Sequence, residues 1–403
     1  MTTPYDTYAW LLSLIVAAAP IVWGMDKISN ARPSGAEPLP SARTSAPSRL
    51  LRVKRSSDYS ICSGSWITYY YGMKISISDL RQKVLRTFTQ KGFNENDASR
   101  IADVLLWADM SGIRPMGIAK MIGSEPVQDE KATAPVEVVR DTKLSQLINA
   151  HRAPAPLVCQ QAVDVVIQKA KEHSFGMVGV NNTFCSSAAL AYYVDRIARE
   201  DLIGIAMTRT AGLVAPFGSA DPLFGTNPMA FAFPTNEEPI MFDMATSPMT
   251  WTGLILAKNR GEQIPEGIAM DSEGRPTTDP AEAIKGAMFP FDHGYKGSGL
   301  GMVVEIMAGP LAASAYCDYK AYDKDYGNLF VAIDPELLVD VKDFKIQCSD
   351  MAKIIKASRK QQGAGEIRLP GERARQAYRE AEKTGLVDVD ETVLKELGYI
   401  PAA

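Results

Sequence analysis

The sequence predicts a mixed α/β fold with a helical subdomain on its N-terminal side. Helical patterns alternate with short buried-strand patterns between residues 157 and 207, and further short apolar runs follow, each ended by a polar or glycine-containing turn. A pair of capped amphipathic helices precedes them. With 403 residues, 46% hydrophobic and 22% charged, the chain holds enough apolar material for one large core or two modest ones.

The elements follow in order. Leu80, Val84, Leu85 and Phe88 share one helical face, and Gly92 stops that helix. Asn94, with Asp97 three residues on, caps a second helix whose inner face is Ile101, Val104, Leu105 and Ala108, which makes a helical hairpin. A third helix runs from Leu157 to Glu172 into Phe175-Gly176-Met177-Val178-Gly179-Val180, a run of buried-strand type. Ala188 to Glu200 reads as helix and Leu202 to Met207 as another buried strand. Ala230 to Phe233 and Ile240 to Phe242 are short strands joined through the Thr235 to Glu238 turn. Gly299 to Ser314, apolar with glycines and small residues, reads as a closely packed core helix. Phe330 to Ile333 is a strand, and Glu372 to Lys383 a charged, exposed helix.

The first 72 residues do not share this pattern. Residues 8–25 form an apolar run long enough for a marginal membrane anchor or a signal h-region, although the usual basic n-region is missing. A Pro/Ser/Arg-rich linker from Asn30 to Arg55 follows, ending in Arg52-Val53-Lys54-Arg55, with too little apolar content to fold. Membrane contact is expected only through residues 8–25; the plainer alternative is an extension unrelated to function, with Met73 as the natural start of the domain. A net charge of -4 argues against nucleic acid as a partner. Five cysteines, at 62, 159, 185, 317 and 348, show no CxxC pair and no metal-ligand spacing, so they read as reduced intracellular thiols with no metal site. No GxGxxG follows a strand, and a dinucleotide bound here would not use the usual Rossmann turn.

Five turns carry further information: Leu213-Val214-Ala215-Pro216-Phe217-Gly218, Gly225-Thr226-Asn227-Pro228, Phe242-Asp243-Met244-Ala245-Thr246-Ser247, Tyr295-Lys296-Gly297-Ser298-Gly299-Leu300 and Leu369-Pro370-Gly371-Glu372-Arg373. In this order they resemble the type-2 malate/L-lactate dehydrogenase family, which includes ureidoglycolate and sulfolactate dehydrogenases and cyclic-imine reductases. The resemblance runs from about Met73 to the C-terminus and is most specific over residues 200–300. It implies the family's non-Rossmann nicotinamide-dinucleotide-binding fold, NAD or NADP as cofactor and a homodimer; the expected location is cytoplasmic, with membrane anchoring or organelle targeting through the N-terminal extension as the alternative. It also implies a division into residues 1–72 as extension, 73–150 as helical subdomain, 151–315 as cofactor-binding α/β domain, and 316–403 as a C-terminal segment packing back on the helical subdomain.

The same resemblance assigns Thr210, Asp243, Met244, Ala245, Pro370, Gly371 and Glu372 to the cofactor, with Thr226 and Asn227 shaping their turn. The family's acid/base histidines are missing. Pro115, Met116 and Gly117 stand where relatives carry Ser-His-Gly, and Met116 cannot transfer a proton. Lys120 stands at the family's carboxylate-gripping arginine, and Arg114 is a second cation in the same loop; either serves for the substrate anion or is simply solvated. In the loop after Val180, counting from the strand puts Cys185 at the second histidine, whereas counting back from Tyr192-Tyr193 puts Ser186 there. The helix-anchored count is preferred, and a plain helix cap is the alternative for this serine. His151 and His173 read as exposed. His293, Tyr295 and Lys296 offer three titratable donors in one turn, with Tyr295 the leading proton donor and Lys296 also a cofactor contact. The resulting expectation is an NAD(P)-dependent oxidoreductase moving hydride to or from a small carboxylate-bearing 2-hydroxy acid, 2-oxo acid or cyclic imine. The rival is a non-catalytic dinucleotide-binding or interaction protein.

Overall fold

The computed structural model describes residues 72–399, apart from 124, 130–131 and 318–324; the apolar run at 8–25 and the linker after it lie outside the described residues. Helix α1 (Ile77–Gln90) begins where the Ser76 hydroxyl accepts the Asp79 amide, and α2 (Glu95–Met110) where the Asn94 side chain accepts the Asp97 amide at 2.9 Å. The hairpin buries Leu80, Val84, Phe88, Ile101, Val104, Leu105 and Ala108, and Leu85 packs at its margin. Two short strands finish this region. β1 (Gly72–Ser76) pairs antiparallel with β12 (Leu386–Asp390), and Val387 and Val389 enter the same core as α1 and α2.

Among the described residues the main sheet has seven strands, in the order β2 (Glu137–Asp141), β3 (Ser145–Asn149), β4 (Phe175–Thr183), β11 (Tyr326–Ile333), β5 (Ile203–Arg209), β6 (Met229–Phe233) and β7 (Ile240–Met244). β3, helix α3 (Ala155–His173) and β4 form a βαβ unit with parallel strands, and α4 (Leu190–Ala198) leads on to β5. β5 does not pair with β4. Instead β11, almost wholly buried, enters antiparallel to both, with Val331 opposite Met177 on one side and Ile205 on the other. β6 and β7 continue as an antiparallel hairpin, while β2 forms the opposite edge. The stretch 137–149 therefore lies in the main sheet and not in the helical region that precedes it.

Helices α3 and α4 cover one face of the sheet in the largest core cluster. A second cluster lies apart, where α5 (Trp251–Arg260) and α6 (Pro280–Lys285) pack with the small sheet of β8 (Ala269–Met270), β9 (Pro276–Thr277) and β10 (Ala287–Met288) around Phe224, Leu254, Ile268 and Met288. On the other face of the main sheet, α7 (Tyr295–Ala308) buries Gly301, Val304, Glu305 and Ala308 but leaves Leu300, Met302, Val303 and Ile306 between 37% and 53% exposed. This corrects the expectation of a fully packed core helix: an apolar sequence on all sides does not say which side finds a partner within the chain. Helix α8 (Val341–Ala357) buries only Ser349, and the charged helix α9 (Glu372–Thr384) lies mostly exposed, with Ala381 buried. The short α10 (Glu391–Glu396) returns Val393 and Leu394 to the first core. Among the described residues, no helix is long and apolar enough to cross a membrane.

Candidate active site

A cavity of about 530 Å³ opens where the turns after α2, the loop after β4, the β5 to β7 edge and the first turns of α5 and α9 converge. Lys120, Ser186, Thr210, Asp243, Met244, Ala245 and Gly371 all line it. Its size suits a small ligand or part of a cofactor.

The wall that carries Lys120 is built from a buried carboxyl group. Asp109, 4% exposed at the end of α2, accepts the Ile118 amide at 2.8 Å, and a Cβ on Gly117 would lie 2.1 Å from its Oδ1. Only glycine lets the chain pass so close. The following 3-10 turn, Ile118–Met121, presents Lys120, whose Nζ donates to the Thr252 hydroxyl at 2.8 Å. Burial lowers the Lys120 amine from 10.5 to about 8, partly opposed by the nearby Cys185 sulfur, and raises the Asp109 carboxyl to about 8, partly opposed by the backbone bond and Arg114.

The loop after β4 separates the two residues between which the sequence count hesitated. Cys185 is fully buried, whereas Ser186 lines the cavity and its Oγ accepts the Ala188 amide at 3.2 Å. Ser187 stands in the same wall and shares a hydrogen bond of 3.2 Å with Thr208 Oγ1. Behind it, Thr208 donates to Asn328 Oδ1 at 2.8 Å, Asn328 Nδ2 to Thr183 Oγ1 at 3.2 Å, and Thr183 Oγ1 to the Tyr326 carbonyl at 2.7 Å. This chain of groups ties three strands together beneath the loop.

Asn227 fixes the opposite wall. Fully buried at φ +37°, it accepts the Thr210 amide at 3.2 Å and donates to Glu305 Oε2 at 2.7 Å, while Glu305 pairs with the buried Arg209 at 3.1 Å. Thr210 Oγ1 in turn accepts the Thr226 amide at 3.1 Å. Asp243 opens onto the cavity, yet protein encloses it closely enough that desolvation raises its carboxyl to about 6; the Ala191 amide, in the first turn of α4, donates to it at 2.9 Å and pulls the other way. At Gly371, φ is +86° and a Cβ would meet the Met241 carbonyl at 2.9 Å, so a side chain there is disfavoured twice.

Other sequence candidates fall elsewhere. Arg114 does not line the cavity and pairs with Asp388 at 3.3 Å. Pro370 and Glu372 line a separate groove of about 630 Å³ between α8, α9 and the β6 to β7 turn, where Glu372 pairs with Lys356 at 2.6 Å. In that groove Glu238 also pairs with Arg375 and Arg379. His293, Tyr295 and Lys296 sit at the start of α7 and none lines the cavity; Tyr295 is 70% exposed, and the His293 ring lies 5.1 Å from that of Phe289.

The structure adds residues that the sequence did not mark. Thr252 holds Lys120, Tyr326 donates to Glu125 at 2.9 Å on the wall, and Arg373 brings a cation to the rim. Ser111 Oγ is buried in the wall and finds no hydrogen-bond partner among the described residues. An orphan hydroxyl, a glycine cradle, the hydroxyls of Thr210 and Thr226, and the apolar Met241, Met244, Met249 and Trp251 together offer the hydroxyl groups and the apolar surface that a nicotinamide nucleotide would need.

Comparison with known proteins gives the same direction. The family model described as malate/L-lactate dehydrogenase matches residues 75–398. The malate/(S)-sulfolactate dehydrogenase of Methanothermus fervidus is 33% identical over 337 residues, covering 81% of this chain and 97% of the relative. The NAD(+) ureidoglycolate dehydrogenase of Escherichia coli O157:H7 is 30% identical, covering 79% and 93%. Among solved structures, a dehydrogenase from Sinorhizobium meliloti superposes with a TM-score of 0.74 at 27% identity, covering 83% of this chain and all of that one.

Proposed function

The chain belongs to the malate/L-lactate dehydrogenase family, and from that premise we propose that it is a nicotinamide-dependent oxidoreductase acting on a small carboxylate-bearing 2-hydroxy acid or its 2-oxo acid. The observation that carries this reading is the convergence of Lys120, Ser186, Thr210, Asp243 and Gly371, from five separate stretches of chain, on one cavity. Thr210, Asp243, Met244, Ala245 and Gly371 would hold the nicotinamide end of NAD or NADP, and Arg373 at the rim would meet a phosphate. When bound, that group gives or takes the hydride. Lys120 then faces the substrate's anionic end, and the apolar lining of Met116, Met249 and Trp251 excludes water around the reacting carbon. The exposed apolar stripe Leu300, Val303 and Ile306 on α7, continued by Leu311, supports a homodimer in which two copies cover each other's stripe.

Fluorescence titration with NADH and NADPH, followed by turnover assays on 2-oxo acids, tests the proposal. Micromolar binding of either nucleotide is expected, weakened by Asp243→Arg, which puts bulk and the wrong charge into the cavity. A folded protein that binds neither nucleotide would be the interaction protein of the rival reading.

A further inference from the structure

With no histidine in the cavity wall, the proton that must leave or join the substrate oxygen needs another carrier. Met116 has no proton to move, the Ser186 hydroxyl, which accepts the Ala188 amide, is a weak base near neutral pH, and the Asp243 carboxyl, which accepts the Ala191 amide, stands among the residues assigned above to the cofactor. His293, Tyr295 and Lys296 stand outside the cavity lining. Glu125 receives the Tyr326 hydroxyl, and Arg373 at the rim cannot give up its proton at working pH. Lys120 stands half-buried in the same wall, its Nζ donating at 2.8 Å to a neutral hydroxyl, that of Thr252.

We propose that Lys120 is the group that takes the proton from the substrate hydroxyl in oxidation and returns it in reduction, with Thr252 as its positioning residue. The proposal deepens, and rests on, the oxidoreductase reading above. A carboxylate partner would fix Lys120 as a permanent ammonium; a hydroxyl does not, because it accepts an N–H from the charged amine and from the neutral one alike, which leaves the neutral amine's lone pair free for the substrate proton. The other titratable neighbour is the Cys185 sulfur in the loop after β4, and Glu125, Asp243 and Arg373 face the same cavity from its other walls. Burial among these groups brings the amine to about 8, within reach of neutral working conditions.

The step balances. In oxidation the substrate O–H bond breaks and its proton bonds to the Nζ lone pair. The oxygen's freed electrons form the C=O bond as the hydrogen on carbon leaves with its bonding pair, the hydride that a bound nicotinamide would take. The reverse step protonates the carbonyl oxygen from the ammonium. Because the carboxylate and the 2-oxygen of such a substrate are neighbours, one ammonium with three donors reaches both, so a carboxylate grip and proton transfer are compatible in a single residue.

Competitive labelling with acetic anhydride, read by mass spectrometry on the whole protein without substrate, measures the fraction of neutral amine. Lys120 should reach half-reactivity near pH 8, against roughly 10.4 for an ordinary lysine. Lys120→Arg keeps the charge and loses the removable proton; kcat for NADH with oxaloacetate, pyruvate or 3-sulfopyruvate should fall by about a hundredfold or more while KM changes little. Lys120→Ala should lose both and regain part of kcat when ethylamine is added. A labelling midpoint at the ordinary value, or a Lys120→Arg variant of undiminished kcat, overturns the proposal. Failure of the unmutated protein to bind NADH or NADPH strikes the oxidoreductase reading instead, so the two failures are separate.

Discussion

Replacing Asp109 by asparagine should stabilise the protein at neutral pH, and increasingly so as the pH rises. Folding lifts the Asp109 carboxyl from 3.8 to about 8, chiefly through burial. A raised folded pKa means that the native state binds the proton more tightly than the unfolded chain. The stability it contributes is complete below about pH 4 and is lost progressively until the pH passes 8. At pH 7 the unfolded carboxyl lies some three pH units above its own pKa while the folded one is still largely protonated, which amounts to about 4 kcal/mol at 1.36 kcal/mol per unit. Asparagine keeps a carbonyl for the Ile118 amide and has no proton to lose. Any cost of seating its NH₂ group is independent of pH and appears as a constant offset. Urea unfolding at fixed protein concentration gives the free-energy difference between variant and wild type, which should grow by about 4 kcal/mol between pH 5 and pH 8.5. A difference flat across that range would show that Asp109 is already ionised in the native protein, and the account of this wall would be wrong.

Gly371→Ala should lower NADH affinity by roughly tenfold, because the φ of +86° and the 2.9 Å approach to the Met241 carbonyl both resist a Cβ; unchanged affinity in a fluorescence titration would remove this residue from the cofactor wall. Ile306→Glu places a charge in the exposed stripe of α7 and should convert a dimer to monomers in sedimentation velocity. Persistence of the dimer would put the interface elsewhere.

Elements held by contacts close in sequence were legible, and those held by distant ones were not. The Asn94 cap and the face formed by Ile101, Val104, Leu105 and Ala108 are written within one helix, and both stand where the spacing put them. β11 was read only from Phe330, because Tyr326 to Leu329 mixes polar and small residues whose burial comes from insertion between β4 and β5, more than 100 residues earlier. β2 was missed for the opposite reason. All of its residues are exposed, so no alternation marks it, and backbone pairing to β3 is what makes it a strand. The short β4 of the sequence reading also stopped at Val180; the structure carries it through Asn181 and Thr183, polar residues that are buried because each finds a hydrogen-bond partner.

The site was legible where a turn has to be a turn. Gly371 and Asn227 sit at positive φ, and Thr210 is tied to Asn227, so these motifs carry their geometry in their composition. Asp109 carries none: at the end of an amphipathic helix a carboxylate reads as one more surface charge, and it is the packing of the following turn, with Gly117 against it, that buries it. The uncertainty between Cys185 and Ser186 had a local cause, since both lie between the end of β4 at Thr183 and the start of α4 at Leu190, where neither the strand nor the helix register applies. The change at position 120 takes its meaning from the same geometry. A guanidinium there could hold a carboxylate but could not release a proton, whereas the half-buried amine beside a hydroxyl can, on the proposal above, do both at one atom. On that proposal the absence of a histidine from this wall and the presence of Lys120 in it belong together, and the sequence does not show that positions 116, 120 and 186 meet in one wall.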